Sequence, residues 1–502
     1  MIAEKKTFNL VDDPWIPIAG VGDRSLRDLF EHPEYQRLGG TPVEKIVILR
    51  LLLCIVHAST PIPDEGAWAE LTLEQISQNS LAYLEKWHDR FDLYDEEHPF
   101  LQFPQLKGKS DSELKDYWNM TISASGNASR FRQEEFVHSF SMAEKARLLL
   151  CGTCYACRKK KTKVLLPYAL LGEKRGYLHS FLLGKTILET IKLNLLTNED
   201  ILKTCLYGAE PIGKPFWEKP FVIEDKSSCE RYMDTYMGTL FPINKFLCIE
   251  GDRIYVTEGI AYKTLEEGFW DPGITIYRNA KNVRQSLCCQ VKEKPWRQIK
   301  AIIEYLRSSS DAPSSSNAFI RCGRNNYEGD WEKICLWTGG VSVNVDTVKT
   351  QKISGRNDYV ESEFLIPMRW YDGEDCVSFE RYKNLMRMLD DYAASLYSAV
   401  NRYFKMLDEQ RSGDLASQAV QLFWEKMEPE AQAIIKLSLE EDESEKVLAA
   451  KKAWQGVARS CYDQFCPHLT PRQIQAYVQC TPYFRDKSDK AKPTKKVKKE
   501  KV

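Results

Sequence analysis

Between residues 385 and 407 apolar side chains recur at Leu385, Leu389, Tyr392, Leu396, Val400, Tyr403 and Leu407. The intervals are 4, 3, 4, 4, 3 and 4, which puts them on one stripe of a long α-helix. Such a stripe has to be buried against something. Three further helical segments follow at 414–439, 444–463 and 471–484, separated by Gly413, the acidic run Glu440-Glu441-Asp442-Glu443 and the stretch from Pro467 to Pro471. Helices with short connections pack antiparallel, so residues 371–485 are expected to form a four-helix bundle.

The chain before the bundle has a different character. Residues 8–18 (FNLVDDPWIPI) read as strand, turn and strand, with Trp15 between two prolines. Residues 43–58 form an apolar helix, entered through Thr41 as N-cap, Pro42 at the first helical position and Glu44 three residues past the cap. Helical spacing returns at 72–91, at 141–157 behind a Ser141/Glu144 capping box, and at 185–206, while 104–135 reads as loops. From 240 to 295 alternating β-rich segments appear, with a hairpin turn at Glu250-Gly251-Asp252. Gly339-Gly340 reads as a turn after a strand. The fold class is α+β: a mixed α/β domain at 1–370, the helical bundle at 371–485, and a basic tail at 486–502 expected to be disordered.

Composition narrows the function. The chain has 502 residues, enough for more than one domain, and 43% hydrophobic residues, enough to build cores. The most apolar run, Ile46 to Val56, is interrupted by Arg50 and is too short to cross a membrane. No export signal is evident at the start, so a cytoplasmic protein with no membrane partner is expected. The fifteen scattered cysteines then read as free thiols. Net charge is −1, which excludes a generally basic nucleic-acid binder. Residues 485–502 carry nine Lys/Arg against three acids, which leaves the body near −7. Any nucleic-acid contact in the body must therefore use local patches.

No catalytic constellation emerges. The sequence lacks a phosphate-cradling GxxxxGK[ST] loop, a GxGxxG fingerprint and an HExxH pair, and its seven histidines are scattered. Cys151, Cys154 and Cys157 in CGTCYAC have the spacing of one edge of a tetrahedral zinc site, but no second CxxC follows. The cluster reads either as part of a structural zinc site or as thiols near a helix end. The run RKKKTK at 158–163, with Lys159, Lys160 and Lys161 at its centre, reads equally as a phosphate-neutralising patch or a solvated loop. The loops around Gly126 and Gly339 suit either a groove-entering tip or a surface turn.

Several segments, taken in order, resemble the CasA family, the large subunit of type I-E CRISPR Cascade. They are FNLVDDPWIPI, HPFLQ at 98–102, GNASRF at 126–131, RGYLHSFLLG at 175–184, KPFWEKP at 214–220, FWDP at 269–272, KPWRQ at 294–298 and WTGG at 337–340. The resemblance implies a non-catalytic protein that reads a protospacer-adjacent motif in double-stranded DNA. It implies that the protein helps open the duplex for guide pairing and presents a surface to a recruited helicase-nuclease. Its other partners would be the remaining Cascade subunits with CRISPR RNA. Protein then reads shape and a short motif while base pairing reads sequence.

Residue by residue, the resemblance places Asn127 and Phe131 in a first DNA-contacting loop. Lys263 falls where the family has a minor-groove lysine on a hairpin. Residues 341–346 fall where it has a wedge, with Val345 at the position often held by glutamine and Asn344 before it. Some relatives hold zinc with two Cys pairs, and only Cys151 and Cys154 match. No cofactor is required in this role. The competing hypothesis is a metal-dependent nucleic-acid-processing enzyme built around CGTCYAC, which would need a carboxylate or histidine beside the cysteines.

Overall fold

A computed structural model describes residues 7–110, 112–116, 140–155, 169–172, 176–204, 210–290, 293–308, 317–325, 333–342, 358–372, 376–441 and 444–484. The chain divides into two compact units, Met1–Tyr371 and Asp372–Val502.

The centre of the first unit is the Pro42–Ser59 helix. Its start is locally determined: Thr41 Oγ1 accepts from the Glu44 N–H at 3.3 Å, and Glu44 Oε2 accepts from the Thr41 N–H at 2.7 Å. These reciprocal bonds satisfy N–H groups that the first turn leaves without carbonyl partners. From Val43 to Val56 the helix is buried nearly all round, as befits a segment without a polar face. Among the described residues no helix is long and apolar enough to cross a membrane. The Met142–Tyr155 helix packs against it, entered through the expected Ser141/Glu144 box with bonds of 2.8 and 3.2 Å.

Two three-stranded antiparallel sheets flank these helices. In one, Lys333–Ser342 lies between Asp358–Pro367 and His179–Leu183, in a register that sets Gly339 opposite both Glu361 and His179. In the other, Arg253–Glu258 lies between Glu113–Asp116 and Lys245–Glu250. Gly251 makes the hairpin turn at φ +59°, a conformation glycine adopts without steric cost.

Several elements differ from the sequence reading. Within 8–18 only Ile16–Ile18 is a strand, and Asn9 makes an isolated bridge to Asp92. Glu113–Asp116 is a strand inside the segment read as loops. The segment 185–206 is two helices, Ile187–Asn194 and Asn198–Thr204. Asn194 bonds both the N–H and the C=O of Leu182 at 3.0 and 2.8 Å, and the chain turns to extended at Leu195. Thr197 then caps the second helix by accepting from the Asp200 N–H at 3.0 Å.

Gly339 and Gly340 do not make a turn. Both lie inside the Lys333–Ser342 strand, and Val341 and Ser342 continue it. The glycines serve close packing: a Cβ on Gly339 would lie 2.7 Å from the Val360 carbonyl oxygen, and one on Gly340 would lie 2.8 Å from that of Tyr177. Val341 is buried in the core, so the first two residues of the expected wedge belong to the sheet.

The second unit is helical. Along the Cys376–Met406 helix, Leu385, Leu389, Tyr392, Leu396, Val400 and Tyr403 are all buried, while Leu407 lies just past its end. This helix packs against Ser412–Met427, Glu445–Phe465 and Pro471–Cys480. The segment expected at 414–439 is split into Ser412–Met427 and Ala431–Leu437 by a 3-10 turn at Glu428–Glu430. Pro429 in that turn has no N–H to extend the α-helical ladder.

Candidate nucleic-acid interface

Lys263 is the one DNA-contact candidate from the sequence that falls among the described residues. It sits just after the Lys245–Glu258 hairpin and not on it. Gly259 and Ile260 donate their N–H groups back to the Asn244 and Ile243 carbonyls at 2.9 Å each. Tyr262 is buried, its hydroxyl donating to the Gly238 carbonyl at 2.8 Å and accepting from the Ile243 N–H at 3.1 Å. Anchoring Tyr262 inward leaves Lys263 pointing out, with 48% of its side chain exposed. Its Nζ lies 2.7 Å from Asp234 Oδ1, a carboxylate the sequence reading did not single out.

Asp234 caps the C-terminus of the Lys226–Met233 helix and edges a cleft of about 560 Å³. Lys214, Lys219 and Arg231 also line that cleft. Each of these cations has its own carboxylate, Glu218, Glu210 and Asp225, at 3.7, 3.4 and 3.8 Å. Each cation around Lys263 is thus matched by a carboxylate, and Glu230 adds a further acid to the cleft, in keeping with a body whose net charge is slightly negative.

Asn127, Phe131, Lys159, Lys160, Lys161, Asn344 and Val345 lie outside the described residues. What is described around the last two is the strand pair on either side of 343–357. Ser342 pairs with Asp358, so the strands that bracket this segment are held together at its two ends. Behind them the packing is tight. A Cβ on Gly176 would fall 1.6 Å from the Val341 carbonyl oxygen, and Cys289 donates its N–H to the Gly176 carbonyl at 2.7 Å.

Cys151 and Cys154 lie on the inner part of the Met142–Tyr155 helix and are buried. Burial pushes both thiols well above their ordinary pKa, so they are held as neutral SH groups. Zinc takes thiolates, and a closed structural site takes four ligands. Among the described residues no three His, Cys, Asp or Glu side chains gather as a metal site, and Cys157, the third cysteine of CGTCYAC, lies outside them.

The polar centre the sequence reading missed is buried. Arg50, which interrupts the apolar helix, donates from Nη2 to Asp271 Oδ1 at 2.7 Å and to His179 Nδ1 at 3.3 Å, and from Nη1 to the Leu240 carbonyl at 3.2 Å. His179 Nε2 donates to the Leu170 carbonyl at 2.9 Å, which fixes the neutral tautomer that leaves Nδ1 as the acceptor. Arg50 and Asp271 are only 2% and 1% exposed. The signal available in the sequence was the arginine itself: a charge inside such a run must find a partner when buried.

Burial, reinforced by the Arg50 charge, lowers the His179 pKa from 6.5 to about 4. The folded chain is then the weaker proton binder. Stability is undiminished above the unfolded pKa and is lost as pH falls from about 6.5 toward 4, by about 3 kcal/mol in all. Melting temperatures followed from pH 7 to pH 4.5 should fall less steeply in His179→Gln than in the parent protein, although the variant starts lower. Parallel slopes would remove His179 from the acid response.

Fold and sequence together define a CRISPR-associated protein. The chain belongs to the family described as CRISPR-associated protein Cse1, whose model matches residues 9–463. It is 30% identical over 236 residues to the CRISPR-associated protein CasA/Cse1 of Thermus thermophilus, a match that spans 42% of each chain. The solved structure of Thermus thermophilus CasA (Cse1) superposes with a TM-score of 0.67 at 20% identity, over 94% of this chain and 97% of that one. Thermobifida fusca Cse1 gives 0.66 at 17% identity, over 95% and 97%. A chain of a CRISPR RNA-guided surveillance complex gives 0.64 at 16%, over 95% and 99%. At these identities the structural likeness speaks for the fold.

Proposed function

We propose that this chain is the large, non-catalytic subunit of a CRISPR RNA-guided surveillance complex of the Cascade type. In this role it recognises a protospacer-adjacent motif in double-stranded DNA, helps open the duplex into an R-loop, and helps recruit a helicase-nuclease, all in the cytoplasm. The observation that carries the reading is family membership over residues 9–463, nearly the whole chain. Residues 1–370 then act as the DNA-recognition domain, 371–485 as a four-helix bundle to which the short Ala431–Leu437 helix belongs, and 486–502 as a basic tail. Asn127, Phe131, Lys159, Lys160, Lys161 and Lys263 are the proposed DNA contacts, and Asn344 with Val345 the proposed wedge. The role needs no cofactor. The outward Lys263 supports the reading, as do the paired strands that bracket 343–357. The alternative of a metal-dependent enzyme around CGTCYAC gains nothing from two buried thiols.

The test has two arms. Purified from cells, the chain should bring with it a small guide RNA and several other subunits. In that complex, Asn344→Ala with Val345→Gly should slow opening of motif-flanked duplexes, because unstacking costs about a few kcal/mol per step and the wedge offsets it. Targets already unpaired beside the motif should be much less affected. Lys263→Ala should weaken motif binding on both kinds of target. Purification without RNA, or metal-stimulated cleavage lost with Cys151 and Cys154, would overturn the reading.

A further inference from the structure

We infer that Asp234 is a latch on Lys263 that shortens the time the chain stays on each motif. The inference rests on the proposed role of Lys263 in the DNA groove. The Lys263 ammonium, 2.7 Å from Asp234 Oδ1, cannot reach into a groove and keep that contact.

Asp234 cannot follow it. Its N–H donates to the Glu230 carbonyl at 3.0 Å as the cap of one helix. The next residue, Thr235, accepts from the Gly238 N–H at 3.0 Å and starts another. The carboxylate is therefore anchored at a corner between two helices while the lysine leaves. The other acids near Lys263 are placed differently. Glu267 is occupied by the N–H and hydroxyl of Thr264 at 2.8 and 3.0 Å, and Glu266 is exposed. Asp234 is the acid that holds the ammonium.

Both side chains are about half exposed, 48% for Lys263 and 42% for Asp234, so water screens the pair and its strength is modest. Exposed pairs of this kind shift an equilibrium by about two- to fivefold. Releasing the latch subtracts that factor from every complex in which Lys263 engages DNA. The effect falls mainly on dissociation, as most interface changes do. A duplex without the motif, which does not draw Lys263 into the groove, is affected less. The arrangement exchanges dwell time on a motif for quick release.

The experiment measures dissociation of a motif-bearing duplex from the guide-loaded complex at physiological salt. The proteins compared are the parent, Asp234→Asn, Lys263→Ala, the double variant, and Glu266→Gln. The last removes the same charge three residues from Lys263 and leaves the latch in place. Asp234→Asn should dissociate about two- to fivefold more slowly. Glu266→Gln should stay close to the parent, and the double variant should match Lys263→Ala. The latch is overturned if Lys263→Ala dissociates faster while Asp234→Asn matches the parent, or if Asp234→Asn slows release equally without Lys263. If Lys263→Ala itself matches the parent, Lys263 is no DNA contact and the latch falls with that reading.

Discussion

Arg50→Met is expected to lower stability by about 3–5 kcal/mol, the cost of leaving one partner of a buried ion pair without the other. Methionine fills most of the space of the arginine stem, so little of this loss comes from a cavity. It comes from Asp271, which would keep a carboxylate 1% exposed with the Gly273 N–H at 2.8 Å still bound to Oδ1 and the cation gone. His179 Nδ1 and the Leu240 carbonyl would lose their donor at the same time. At roughly 2 °C of melting temperature per kcal/mol, the first unit should melt on the order of 6–10 °C lower. Adding Asp271→Asn removes the stranded charge while keeping an acceptor for Gly273. The double variant should therefore regain part of the loss, with a coupling of about 0.5–3 kcal/mol. A cost below about 1 kcal/mol for Arg50→Met, with no recovery in the double variant, would mean that the pair does not hold these segments together.

That cluster also marks the limit of what could be read from the sequence. Local signals were legible because their causes are local. Thr41, Pro42 and Glu44 start a helix through bonds made within four residues, Ser141 and Glu144 do the same, and Gly251 turns a hairpin by its own backbone freedom. The stripe from Leu385 to Tyr403 was legible because burial on a helix repeats with the helix. Arg50 was visible as an exception, but its partner lies 221 residues away, and nothing near either residue names the other. The same is true of Lys263 and Asp234, 29 residues apart on different elements. The WTGG segment misled for a related reason. Paired glycines usually signal a turn, and here they signal neighbours pressing on a strand, which only the assembled sheet reveals. Of the proposed DNA contacts, the family resemblance supplied Asn127, Phe131, Asn344 and Val345 and the basic run at 158–163 supplied Lys159, Lys160 and Lys161, all outside the described residues.

The crowding behind that strand gives the second large effect. Gly176→Ala adds one methyl group, and the backbone there does not need glycine's conformational range. The difficulty is space: the new Cβ would fall 1.6 Å from the Val341 carbonyl oxygen and 2.8 Å from its carbon, both backbone atoms that no rotamer change can move. Either the 176–177 segment or the end of the Lys333–Ser342 strand must shift. The first is tied by the Cys289 N–H at 2.7 Å and by Tyr177 donating to the Leu171 carbonyl at 3.1 Å. The second is tied by its ladders to Asp358–Pro367 and His179–Leu183. Overpacking in cores costs about 1–3 kcal/mol, and a clash with fixed backbone belongs at or above the top of that range. Gly456→Ala is the matching control. It lies on the exposed face of the Glu445–Phe465 helix with nothing within 4 Å of its Cβ. The added methyl should there stabilise by about 0.5–1 kcal/mol through helix propensity. Melting curves of the two variants should move in opposite directions. Hydrogen exchange in Gly176→Ala should quicken at residues 338–342 and their partners 358–362, and much less at the far end of the same strand. Since Ser342 and Asp358 bracket 343–357, a displaced strand end should also slow motif-dependent duplex opening at temperatures where the variant remains folded. A Gly176→Ala protein that melts with the parent, its strand-end amides exchanging at parental rates, would show that the junction yields easily and does not fix where 343–357 begins.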